Sequence, residues 1–143
     1  MAGTTAKLAF PYPTGTDRVA DGDNAIQALA QKIEDLLAST AWTNMTLENA
    51  WTNVDASLYG AAAYRKVGDI VECRGLVGSA TTTGTLFTLP AGFRPLKTYW
   101  FPGDTNNSGG NIQAKVVVNN LGQIFCERAA TWVSLYTIRF SIL

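Results

Sequence analysis

The chain contains no histidine, and that absence bounds its chemistry more tightly than any residue it does contain. Histidine is the usual general base near neutral pH and the commonest metal ligand. Without it, a serine or cysteine nucleophile has no imidazole to activate it. Paired carboxylates are the remaining route to hydrolysis, but the 11 acidic residues are scattered. Asp17, Asp21, Asp23 and Asp35 are among those that fall near the N-terminus, away from the most strand-like sequence. The expectation is therefore no enzyme, no catalytic residue, no metal and no cofactor. The two cysteines, Cys73 and Cys126, are far apart and form no C-x-x-C pair, which argues against a zinc site.

Charge is also scarce, at 15% of residues, and the 11 basic and 11 acidic side chains cancel. Binding to nucleic acid needs clustered Lys and Arg to displace phosphate counterions. No such cluster is visible in the sequence, so no nucleic-acid partner is expected. Sparse charge leaves much uncharged surface, which suits a subunit within an assembly. No apolar run approaches the roughly 20 residues that span a bilayer, and Met1-Ala2-Gly3-Thr4-Thr5 does not open a secretion signal. A chain made in the cytoplasm without membrane insertion is expected.

What is present is 47% apolar residue, enough for a packed core in about one domain. Three regions separate by composition. Residues 1–22 are rich in Gly, Thr, Pro and Asp, and each X-Pro step favours extended backbone. They read as an extended arm, without helix or regular sheet, that becomes ordered on a partner. Residues 23–40 carry a helix over about Asn24 to Leu37, with Asp23 as N-cap and Asp21-Gly22 as the preceding break. Its apolar positions Ile26, Leu29, Ile33 and Leu36 step by three, four and three, the a/d spacing of a short coiled coil. Val19 extends the seam upstream. Ile at a with Leu at d leans toward two strands.

Residues 41–143 change to a period of two. Tyr64, Val67 and Ile70 through Val77 read as strands around a Val67-Gly68-Asp69 turn, with Gly75 at a strand bend. Leu86–Leu89 and Thr98–Phe101 follow, and Ala114, Val116 and Val118 alternate with polar residues. Asn119-Asn120-Leu121-Gly122 turns into Gln123-Ile124-Phe125-Cys126. The last stretch reads as one strand, with Trp132, Tyr136, Ile138, Phe140 and Ile142 on one face. Alternation puts Cys73 on the face of Val71, as a small core residue. Trp42 and Trp51 are expected to join the helical stalk to this region. Short strands about every 10 residues indicate an antiparallel sandwich or jelly-roll-like head. The fold class is mainly β.

Two stretches carry a family resemblance. Pro13, Asp17, Val19, Asp21-Gly22, Ala25-Ile26 and Leu29-Ala30 resemble the N-terminal segment of bacteriophage minor tail and tail-fibre proteins. Tyr64-Arg65-Lys66, Gly68, Val71, Gly75 and Leu89-Pro90-Ala91-Gly92-Phe93-Arg94-Pro95 are similar to the head of receptor-binding tail proteins, and Trp132-Val133-Ser134-Leu135 fits the same ending. The resemblance implies a homotrimer on the Val19, Ile26, Leu29, Ile33, Leu36 seam. It also implies attachment to other virion proteins through the arm, at Phe10, Tyr12 and Pro13. The head would then face the host surface, with the protein part of a phage tail assembled in the host cytoplasm. The motifs themselves read as architectural, Arg94 being placed to satisfy backbone carbonyls.

A glycan site needs flat aromatic faces beside amides or carboxylates. Tyr99, Trp100, Asp104, Asn106 and Asn107 cluster in sequence around the polar loop 103–110, and Trp132 follows another turn. The competing reading places the aromatics in the core or a subunit interface, where such rings bury large area. Two other functions fit the same residues: a capsid decoration or head-fibre protein, and a free carbohydrate-binding module. Copy number and location in a particle separate the first from a tail protein, and a glycan array tests the second.

Overall fold

A computed structural model describes residues 3–5, 9–12, 14, 18–79, 83–105, 113–128 and 131–143. The chain divides into two compact units, Met1–Ala38 and Ser39–Leu143.

In the first unit the arm is not merely extended. Strands β1 (Gly3–Thr4) and β2 (Pro11–Tyr12) pair antiparallel, with Gly3 opposite Tyr12 and Thr4 opposite Pro11. Thr5 organises the connection. Its N–H donates to the Phe10 carbonyl at 2.9 Å, and its carbonyl accepts from Ala9 N–H at 3.0 Å. Its hydroxyl oxygen accepts from Phe10 N–H at 2.9 Å. The expectation of no regular sheet in residues 1–22 is thus corrected. A two-stranded ribbon consists only of edges, where proline is tolerated. Pro13 lies outside the described residues.

Helix α1 (Val19–Leu37) begins one turn before the expected start. Arg18 is its extended N-cap residue, and Gly22 N–H donates to the Arg18 carbonyl at 3.0 Å. Asp23 therefore lies inside the helix rather than capping it. An internal glycine costs about 1 kcal/mol relative to alanine, a penalty that a 19-residue helix absorbs. Strand β2 packs against α1, and Ala25 is buried. Leu29 is half-buried, whereas Ile26, Ile33 and Leu36 are 58%, 42% and 40% exposed. The seam residues between Ile26 and Leu36 therefore present mostly open apolar surface. The side chain of Val19 lies outside the described set.

The second unit is β-rich. Among its described residues, β8 (Gly84–Thr88), β11 (Gln123–Arg128), β10 (Ala114–Val118) and β9 (Tyr99–Gly103) form one antiparallel sheet in that order. A second has the order β13 (Arg139–Ser141), β6 (Ile70–Arg74), β5 (Ala63–Val67), β3 (Thr43–Asn44). A third has β12 (Trp132–Ser134), β7 (Leu76–Ser79), β4 (Trp51–Asn53). A short helix, α2 (Ala56–Tyr59), starts at Asp55, whose carboxylate accepts from Ser57 and Leu58 N–H at 3.0 and 3.1 Å.

The strand bend expected at Gly75 is a change of sheet. β6 and β7 are consecutive, yet they belong to different sheets, and Gly75 between them has φ +109°. A Cβ there would stand 2.6 Å from Ala62 Cα, so only glycine fits. The neighbouring terminal segment of the same chain turns at the same place. Leu135 N–H donates to the Gly75 carbonyl at 3.0 Å, and Cys73 N–H to the Ile138 carbonyl at 3.1 Å. The single terminal strand expected from the sequence is consequently two, β12 on β7 and β13 on β6. Burial changes parity across the turn: Val133 and Leu135 are buried before it, Ile138 and Phe140 after it, and Tyr136 is exposed.

Side chains from all three sheets meet in one core that includes Val71, Cys73, Val77, Leu86, Val116, Val118, Ile124, Cys126, Val133 and Phe140. Cys73 is a core residue, as alternation predicts. Trp51 also belongs to this core, and Trp42 lies against arginines of the same unit. Both tryptophans expected to join stalk to head therefore have packing contacts within the second unit.

The Leu89–Pro95 motif is architectural. Leu89 N–H donates to the Gly122 carbonyl at 2.8 Å, and Arg94 Nε donates to the Leu89 carbonyl at 2.8 Å. The motif thereby clamps the β10–β11 turn.

Candidate functional site

Strand alternation separates the aromatics that are adjacent in sequence. Along β9, Tyr99 and Phe101 are half-buried while Trp100 and Pro102 are exposed. Tyr99 stacks on Phe101 and Phe140, with ring centroids 6.3 and 5.9 Å away. It is a core-edge residue. Trp100 faces the opposite side and is 53% exposed.

The register that pairs Trp100 with Val117 and Pro102 with Lys115 sets Lys115 diagonally beside Trp100, within reach of long side chains. The Lys115 ammonium stands 3.4 Å from the Trp100 ring centroid. Glu127, across on β11, receives the same ammonium at 2.7 Å. Around them is an open groove of about 720 Å³ whose lining also includes Phe101, Pro102 and Gln113. An indole held on a strand, with one face under an amine and a carboxylate and an amide nearby, can meet an apolar sugar face with the surface that Lys115 leaves open while the polar groups bond its hydroxyls.

Asp104 and Trp132 lie elsewhere, in a groove of about 480 Å³ with Val54, Tyr59, Leu76, Ser134 and Tyr136. That surface is built by backbone pinning. Ser134 N–H donates to the Asp104 carbonyl at 3.1 Å, the Thr105 hydroxyl donates to the Trp132 carbonyl, and the Thr137 hydroxyl donates to the Pro102 carbonyl at 2.8 Å. The Tyr136 hydroxyl donates to the Tyr59 carbonyl at 2.8 Å and so fixes one wall. The grooves meet the two feet of the 104–113 connection, Asp104 at one and Gln113 at the other. Asn106 and Asn107 lie outside the described residues.

Sequence reasoning did not single out Lys115, Glu127 or Gln113. Lys115 carried a signal as the polar residue in the Ala114, Val116, Val118 alternation, but its proximity to Trp100 depends on a strand register that no local pattern reveals. A third polar surface, around Trp42 and Arg74, was missed for the same reason.

The chain matches no protein-family model, and no curated protein matches its sequence. Among solved structures it is similar to the receptor binding protein of Listeria phage PSA, with a TM-score of 0.66 and 18% identity. The match covers 88% of this chain and 80% of that one. The fold is shared with a phage receptor-binding protein. At this identity the likeness is one of fold, and it spans most of both chains.

Proposed function

We propose that the chain is a non-enzymatic structural protein of a bacteriophage tail whose head contacts host-surface glycan at the Trp100 groove. The observation that carries this reading is an exposed tryptophan, fixed between strand neighbours and topped by Lys115, on a fold shared with a phage receptor-binding protein. An isolated tryptophan exposed on a β-strand adds little to folding, and its large apolar face is suited to a ligand.

On this reading the open seam of α1 is covered by further copies of the chain. The three-four-three spacing of Ile26, Leu29, Ile33 and Leu36 is self-complementary, and the resemblance to tail fibres supports three copies. Phe10 and Tyr12, carried by the β1–β2 hairpin, with Pro13 beside them, contact a virion protein. Weak glycan affinity at each head is then sufficient, because several heads act together.

Electron microscopy of particles labelled with antibody to the chain tests the location, and competition by the isolated protein tests its role in adsorption. Label at the tail tip with inhibited adsorption supports the reading. Label over the capsid would favour a decoration protein and overturn it.

A further inference from the structure

The third surface of the head, remote in sequence from the loop 103–110, has the chemistry of an anion site. On β5, β6 and β13 the side chains of Arg65, Glu72, Arg74 and Arg139 converge. Glu72 is committed at both oxygens. Its Oε2 accepts from Arg65 Nε and Nη2 at 3.1 and 3.0 Å, and its Oε1 faces Arg139 Nε at 3.4 Å. Arg74 is left over. No described carboxylate pairs with it, and its Nε is buried without an acceptor among the described residues.

Trp42 holds this arrangement in place, with the guanidinium carbons of Arg65 and Arg74 each 4.5 Å from its ring centroid. Three guanidiniums thus gather around one carboxylate that pairs with only two of them, in a chain whose formal charge is zero. Beside them opens a groove of about 440 Å³, lined by Trp42, Glu72, Arg74, Tyr136 and Arg139.

We propose that this groove binds an acidic saccharide through its oxyanion, carboxylate or phosphate, at Arg74 and Arg139. The planar guanidinium fork matches paired oxygens of a carboxylate or a phosphate in geometry as well as charge. Stacking on Trp42 fixes the Arg74 plane before the ligand arrives, which lowers the ordering cost of binding. Tyr136 supplies an aromatic edge for the sugar ring. The proposal stands on the head alone and does not depend on where the chain sits in a particle.

The test is calorimetric titration of the full chain with three probes: a galacturonic acid trimer, galactose 6-phosphate and a neutral galactose trimer. The site predicts binding of at least one acidic probe, weakened by added salt, with no response to the neutral one. Binding by only one acidic probe identifies the oxyanion. Arg74→Gln is expected to lower the affinity about tenfold or more, whereas Lys97→Gln, which removes a positive charge elsewhere on the surface, leaves it unchanged. If Arg74→Gln fails to fold, as read by near-ultraviolet circular dichroism, the exposed Arg139→Gln carries the test with a several-fold loss. The proposal is overturned if neither acidic probe binds up to about 10 mM. It is equally overturned if the neutral probe binds as well as the acidic ones, or if both arginine variants bind like the unaltered chain.

Discussion

Lys115 sits over the Trp100 ring at 3.4 Å while its ammonium is held by Glu127 at 2.7 Å. The two contacts fix the lysine from both sides, so one face of the indole is covered by a positioned amine and a sugar meets the surface that stays open. Replacing Trp100 by alanine should abolish glycan binding in an array or titration. It should cost only about 1 kcal/mol of stability, since the ring is half-exposed and exposed cation–π pairs contribute about 0.5–1 kcal/mol. Undiminished glycan binding by Trp100→Ala would remove this groove from the account.

Ile26 and Ile33 are expected to hold copies together without holding the head together. The double substitution Ile26→Glu/Ile33→Glu places two carboxylates on the apolar seam, where burial of an unpaired charge is unfavourable. Sedimentation should show the mass falling from three chains to one, with the β-sheet circular dichroism of the head retained. A mass of one chain before substitution would dispose of the seam.

Two glycines separate strain from collision. Gly92 has φ +87° and open space where a Cβ would stand; Gly75 has φ +109° and would drive a Cβ into the Ala62 backbone. Gly92→Ala should therefore cost about 1–2 kcal/mol, the conformational penalty alone. Gly75→Ala should cost about 3 kcal/mol or more, because neither backbone can yield cheaply. Urea unfolding of both variants measures the difference, and equal losses would contradict the corner geometry.

Burial pushes the Cys73 thiol up from 9.0 to about 12. The folded chain then holds this proton more tightly than the unfolded chain. The resulting stability is fully present below about pH 9 and is lost as pH rises from 9.0 toward 12. The slope should approach about 1.4 kcal/mol per pH unit at its steepest. Cys73→Ala should lose less stability over that alkaline range than the unaltered chain, and parallel curves from chemical denaturation would refute the assignment.

The head's hairpins were legible because local rules set them. Gly68 and the Asn119–Gly122 turn are punctuation that a single strand pair enforces, and alternation correctly put Cys73 inside. The helix start was misread because Asp21-Gly22-Asp23 looks like a break, whereas a long helix tolerates one glycine. The terminal strand was misread for a subtler reason. Leu135–Ile138 contains no glycine or proline, and the turn there answers to Gly75, some sixty positions earlier in the chain. Of the proposed glycan residues, the sequence grouped Tyr99, Trp100 and Asp104 by proximity and added Trp132 from a later turn. The fold parts Tyr99 from Trp100, because adjacent strand residues face opposite ways, and joins Asp104 to Trp132 in one groove, because only registry decides which neighbours share a face.

The coupled corner also governs where this molecule can change length. Between Val133 and Phe140 the chain must swap inward parity at one fixed level, so a single-residue insertion or deletion there would present polar side chains to the core. Gly103 faces Ala114, so the ladder is closed across the intervening connection, and residues can be added within it while both strands keep their phase. Length variation among descendants of this sequence is therefore admissible beside the Trp100 groove and barred at the Gly75 level.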